Sequence, residues 1–180
     1  MPEDRGLRFE TIVASLIGLL ALLVSAYTAY IQRQQVRAQV WPILEFNTGN
    51  DPKIDFWVAN KGSGPALIRH VVVTVDGAPV ADWNVVLKDL LGPGHYSYST
   101  NTFGNVALSP GETLQAFSSD LEVSDPRFAT LNQARFRLAA EICYCSTLGD
   151  CWTVHGSLKE PATTTETRRC PAPSETTFKQ

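Results

Sequence analysis

The chain reads as a mainly β protein: an antiparallel β-sandwich with one or two short helices, behind an N-terminal transmembrane helix. Three observations carry this. Residues 12–31 run for twenty positions without a charge. From Trp41 onward the apolar residues switch to a period of two. Short strand-like runs are then separated by turns rich in Gly, Pro and Asn.

The apolar run comes first. Twenty residues at about 1.5 Å each cover the ~30 Å hydrocarbon core of a bilayer. Residues 1–11 form a mixed-charge flank with Glu3, Asp4, Arg5, Arg8 and Glu10. A cleavable signal peptide is the competing reading, with Val24-Ser25-Ala26 as its cut. Apolarity continues past Ala26 to Ile31, however, which favours an uncleaved anchor. Residues 32–40 lack Pro and Gly and extend the helix towards Pro42. Ala14, Gly18, Ala21, Ser25 and Thr28 recur at steps of four and three, placing small residues on one side. Such a face lets helices approach closely in lipid, and it is the candidate association face. The plain alternative is a chance stripe in a membrane helix.

Orientation is tied on charge: Arg5 and Arg8 flank one end, Arg33 and Arg37 the other. The N-terminal amine and the cysteines break the tie. Cys143, Cys145, Cys151 and Cys170 are the four cysteines, and disulfides persist on the oxidising side. No Asn-x-Ser/Thr sequon occurs. The expectation is a single-pass bacterial inner-membrane protein with its C-terminal domain in the periplasm. The bilayer is then one partner. A net charge of −3 with scattered basic residues argues against nucleic acid. A hydrophobic content of 44% calls for a packed core.

Residues 41–158 should be the sandwich domain. Ile54, Phe56 and Val58 alternate with polar neighbours. Residues 60–65, AsnLysGlySerGlyPro, are a turn. Leu67 to Val75 is a β-branched strand closed by Asp76-Gly77, a hairpin-turn pair. Trp83, Val86, Leu87 and Leu90 take helix spacing, with Asp82 before them and Gly92-Pro93 after. Residues 94–107 read as a loop holding at most one strand, 108–112 as a turn and 113–117 as a strand. Ser124 or Asp125 caps a second short helix, with Pro126 in its first turn. Residues 135–145 form the clearest strand, with Phe136, Leu138, Ala140, Ile142 and Tyr144 on one face. Residues 151–157 return beside it. Residues 159–180, rich in Thr, Pro and Glu, are expected to be disordered.

The stretch AsnLysGlySerGlyProAlaLeuIle (60–68), the strand ending in Asp76-Gly77, and LeuSerProGlyGlu (108–112) together resemble immunoglobulin-like β-sandwich modules of bacterial envelope proteins. In particular the chain is similar to small uncharacterised single-pass membrane proteins that place such a module after an N-terminal helix. That resemblance covers residues 41–158 and implies an immunoglobulin-like fold and no activity.

CysTyrCysSerThrLeuGlyAspCysTrp (143–152) is the most distinctive segment. If Cys145 faces Cys151 across a hairpin, then Cys143 faces Thr153 and Glu141 faces His155, all outward. Opposed strand residues lie within disulfide range. The preferred pairing is Cys145 with Cys151 and Cys143 with Cys170, though four cysteines allow three pairings. The sharper alternative is a metal site of Cys143, Cys145, Cys151 and His155, with Glu141 beside it. No cofactor is called for. Nor does a catalytic motif appear: there is no Gly-x-Ser-x-Gly, Ser-x-x-Lys or His-Glu-x-x-His. His70 sits in a strand, His95 in a Tyr-rich loop, and Asp120 and Glu122 at a strand end. The expectation is therefore a non-catalytic envelope module that binds a protein partner or assembles with itself. Its alternative is an envelope metal/redox or ligand sensor using the cysteine face or the 92–107 loop.

Overall fold

The structure, a computed structural model, describes residues 3–179, with side-chain surroundings from Phe9 onward. The chain divides into two compact units, residues 1–39 and 40–180.

The first unit is one helix, α1 (Glu3–Gln39). Residues 3–11 of the expected flank 1–11 thus belong to this helix, because nothing between Glu3 and Ile12 breaks it apart from the single Gly6, and residues 1–2 lie outside the described residues. α1 is long and apolar enough to cross a membrane. The hydroxyls of Ser15, Ser25 and Thr28 donate to carbonyls four residues back, each at 2.8 Å, so these polar groups are satisfied within the helix.

The second unit holds two antiparallel sheets. One comprises β1 (Leu44–Gly49), β2 (Asp55–Asn60), β5 (Tyr98–Thr100) and β7 (Thr113–Ser119), in the order β1-β2-β7-β5. The other comprises β3 (Ala66–Val75), β4 (Ala78–Val80), β8 (Leu138–Cys145), β9 (Cys151–Ser157) and β10 (Thr163–Thr167), in the order β10-β9-β8-β3-β4. The two-residue strand β6 (Ala107–Leu108) pairs with the start of β3. Leu44, Phe46, Phe56, Val58 and Ala116 of the first sheet share one core with Ile68, Val73, Ile142, Tyr144 and Val154 of the second. A register shift between Ile68 and His70 keeps both Ile68 and Val71 on the buried side of β3.

Two short helices complete the unit. α2 (Trp83–Leu91) buries Trp83, Val86, Leu87 and Leu90, and Asp82 caps it by accepting from the Val85 N–H at 3.0 Å. α3 (Pro126–Ala134) is capped by Asp125, which accepts from the Arg127 N–H at 2.8 Å. At the β3–β4 turn both Asp76 (φ 49°) and Gly77 (φ 84°) are left-handed, as a two-residue hairpin requires. Arg137 grips the Asp76 carboxylate at 2.6 and 2.8 Å and holds its pKa below the usual value.

The glycine loop 60–65 has a structural purpose. Asn60 is fully buried; its amide donates to the Gly64 and Leu108 carbonyls at 2.8 and 3.0 Å, and its carbonyl accepts from the Gly62 N–H at 3.0 Å. The loop wraps the segment where the domain begins. A Cβ on Gly62 would lie 2.3 Å from the Trp41 carbonyl oxygen, and one on Gly64 would lie 2.1 Å from that of Val40.

Two expectations need correction. Residues 135–137 form a 3₁₀ turn rather than the start of β8. Phe136 is consequently 39% exposed while Arg135 is 9% exposed, its guanidinium donating to the Asn132 carbonyl and the Thr48 hydroxyl at 3.2 Å each. Of the tail 159–180, expected to be disordered, the described residues 159–179 are not a disordered appendage. They supply β10 and then place Phe178, 6% exposed, in the core. A polar composition did not prevent this, because strand pairing, a cysteine pair and one ring supply the contacts the composition lacks.

Candidate functional site

The site is built on the β8–β9 hairpin. The two strands pair with Cys145 opposite Cys151, Cys143 opposite Thr153 and Glu141 opposite His155. The loop between them is closed by the Ser146 N–H donating to the Asp150 carbonyl at 2.8 Å. The Ser146 hydroxyl accepts from the Leu148 and Asp150 amides at 3.2 and 3.3 Å. Gly149 takes φ 84°, a conformation that favours glycine.

Two cysteine pairs stand at disulfide distance. Cys145 and Cys151 have Sγ atoms 2.04 Å apart, and Cys143 and Cys170 have theirs at 2.11 Å. The pairs touch: the Cys145 and Cys170 sulfurs are 3.8 Å apart. Cys143 and Cys151 are buried, whereas Cys145 and Cys170 are half-buried. The sulfurs of Cys145, Cys151 and Cys170 all lie within 4.8 Å of one another.

The metal set weighed from sequence is not gathered as expected. Among the described residues the one group with ligand spacing is Cys145, Cys151 and Cys170, and His155 is outside it. Strand geometry sets His155 four residues along β9 from Cys151. Its Nδ1 instead faces the Glu141 carboxylate at 3.5 Å, both side chains nearly half exposed. They line a shallow cleft of about 230 Å³ together with Ser157, Glu160 and Thr163.

A wider cleft of about 630 Å³ lies at the end of the first sheet, lined by His95, Tyr96, Asp120, Glu122, Asp125 and Arg127 among others. Its carboxylates are committed to neighbours. Hydrogen bonds from the Ser97 hydroxyl and Lys53 hold Asp120 below the usual range. The Arg127 guanidinium and backbone amide hold Asp125 at about 2. The group is open to solvent. His70 is buried in β3, its Nε2 lying 3.1 Å from the Thr177 hydroxyl. Ala14, Gly18, Ala21, Ser25 and Thr28 are all exposed on α1, and nothing lies within 4 Å of a Cβ built on Gly18.

The sequence reading missed an aromatic pocket. Trp83 stands at its centre, with ring centroids 4.8 Å from Phe117, 5.7 Å from Phe56 and 5.1 Å from Phe178. Phe103 completes it, 6.0 Å from Phe178. One signal was available: Phe178 is the sole aromatic residue after Trp152. A lone ring in a polar tail is a candidate anchor.

No family model, curated protein or solved structure matches the chain.

Proposed function

We propose that this is a single-pass envelope protein whose α1 anchors an immunoglobulin-like, disulfide-tied sandwich on the periplasmic face of a bacterial inner membrane. The domain acts there as a non-catalytic module that binds a protein partner or assembles with itself. The observation that carries the reading is the pairing of all four cysteines in a chain that begins with an apolar helix. Disulfides persist in oxidising compartments, so the domain belongs on the far side of the membrane from a reducing cytoplasm. The exposed leucines of α1, such as Leu19, Leu20, Leu22 and Leu23, need a hydrocarbon surrounding. The Ala14/Gly18/Ala21/Ser25/Thr28 face offers a helix–helix contact.

Protease treatment of spheroplasts tests the topology. Digestion of the domain from outside is the expected result; full protection would reverse the orientation and remove the periplasmic assignment. Alkylation without reductant tests the cysteines: four modified thiols would sink the disulfide framework. A thiol-redox sensor is the second reading. It is favoured by the 3.8 Å approach of the Cys145 and Cys170 sulfurs, and by nothing at His155. Reversible oxidation at a physiological potential would support it, as would metal bound by the reduced protein.

A further inference from the structure

The outer edge of β3 is incompletely paired by its neighbouring strands. β6 covers Ala66 and Leu67, and β4 covers Val73 to Val75, leaving residues 69–72 open between them. The C-terminal tail fills that gap. The Phe178 N–H donates to the Val71 carbonyl at 2.9 Å, and the Lys179 N–H donates to the Ala81 carbonyl at 2.7 Å. The Thr177 hydroxyl meets His70, and the Phe178 ring enters the pocket of Trp83 and Phe103. The tail thus meets the sheet edge through one backbone hydrogen bond and an aromatic anchor, the beginnings of an edge-on peptide-recognition geometry.

The occupant fits loosely. Few hydrogen bonds hold residues 177–179, and the buried His70 Nδ1 and Trp83 Nε1 beside them have no partner among the described residues. The covalent hold is the Cys143–Cys170 pair, eight residues upstream of Phe178. Exchange of the segment from Cys170 onward hinges on Arg168 and Arg169, since β10 ends at Thr167, and three residues reach at most about 10–11 Å when extended. Across so short a hinge the tail fills the same slot on a domain lying directly alongside, and exchange of an identical terminal element is a low-cost route to a dimer.

We propose that the β3 edge slot accepts the tail of a second copy, so that residues 170–179 exchange between chains and Cys170 of one chain closes on Cys143 of the other. This rests on the reading above that copies are anchored in one membrane and assemble. The covalent step needs only a monothiol of the glutathione class. Its thiolate attacks Cys170 Sγ, forming a mixed disulfide and releasing the Cys143 thiolate. The Cys143 thiolate of the second copy then attacks Cys170 Sγ, forms the new bond and expels the monothiol thiolate unchanged. Cys170 is half-buried and Cys143 buried, so Cys170 is the more exposed residue of its pair.

Complementation tests this. Full-length Cys143→Ser and Cys170→Ser chains are co-reconstituted in liposomes with a glutathione redox buffer, trapped with N-ethylmaleimide and digested without reductant. Neither chain alone can form a 143–170 bond. The expected result is a 143–170 linked peptide in the mixture, about tenfold or more weaker when the Cys143→Ser donor also carries Phe178→Ala. No linked peptide would overturn the proposal, as would one equally abundant with the Phe178→Ala donor, which would mean random thiol collision. Wild-type chain mixed with its ¹⁵N-labelled copy removes any dependence on variant folding: heavy–light 143–170 peptides are expected, and like–like peptides alone overturn the proposal. Amine cross-linking of the same liposomes separates the two readings. Oligomers without exchanged tails leave assembly standing and remove exchange; monomers without a partner remove both.

Discussion

Removing each cysteine pair in turn should cost unequal amounts of stability, and the ratio follows from loop lengths. Cys143 and Cys170 are 27 residues apart; Cys145 and Cys151 are 6 apart. A cross-link restricts the unfolded chain by an entropy that grows as 1.5R times the logarithm of loop length, on a fixed offset. At 25 °C this gives about 3.6 kcal/mol for the long loop and about 2.2 kcal/mol for the short one. The difference, about 1.3–1.4 kcal/mol, is firmer than either value because the offset cancels. The perturbation is Cys143→Ala/Cys170→Ser against Cys145→Ser/Cys151→Ala. Full-length chains in micelles are unfolded in urea and followed by tryptophan fluorescence, since Trp83 lies in the core and Trp152 on the hairpin itself. The long-loop variant should have the lower midpoint with an unchanged slope. Equal losses, or a larger loss for the short loop, would refute the reasoning. Either result would mean that the tail is already detached from the unfolding unit, so that closing its loop restricts nothing that matters.

Other perturbations give sharp outcomes. Phe178→Ala should destabilise the domain by about 2 kcal/mol, below the usual core value because the site is at the chain end, and should raise hydrogen exchange at Phe178 and Lys179. An unchanged urea midpoint would show that the ring is not held. Gly64→Ala should cost about 3 kcal/mol or more, since its Cβ would meet the Val40 backbone at 2.1 Å; a variant as stable as the parent contradicts the collar around residues 40–43. Asp125 titrates at about 2 in the folded state, against 3.8 as its unperturbed value. A depressed carboxylate stabilises above its unfolded pKa and loses that contribution as pH falls through the folded one. The α3 cap should therefore persist at pH 4 and fray as pH drops towards 2, and Arg127→Ala should move the Asp125 midpoint up in an NMR titration.

The periodic parts of the fold were open to reading because periodicity reports which face is buried. Trp83, Val86, Leu87 and Leu90 fall on one helical face, and that face is buried. Leu138, Ala140, Ile142 and Tyr144 alternate, and all four are buried. The pattern misled at its end. Phe136 continues the alternation in sequence, but Asp125 starts a helix whose last turn tightens into the 3₁₀ segment, and this points the Phe136 ring outward. The clustering of sulfurs was legible in part, since register alone sets Cys145 opposite Cys151. The Cys143–Cys170 pair was the expected partner pairing and is the one found, although no periodic signal fixes where the rest of the tail crosses the sheet. His155 shows the converse. Its share of the outward face was readable, yet period-two spacing carries it along the strand away from the sulfurs and beside Glu141.

Residues 159–179 show why composition is a weak guide to the end of a domain. Disorder follows when a segment cannot bury enough apolar surface to offset its ordering entropy. That balance is struck for the segment alone. Here the sheet presents a free edge on β9 for Thr163–Thr167, a thiol at Cys143, and an unpaired stretch of β3 beside an aromatic pocket. Each was prepared by residues far away in the chain. The tail contributes few apolar groups but meets three vacancies, and a cross-link between the first and last of them lowers the entropy still to be lost by the other. Phe178 alone would bind weakly, and Cys170 alone would hold an otherwise loose tail. Together they order residues 170–179, while the preceding segment is held separately by the pairing of β10 with β9.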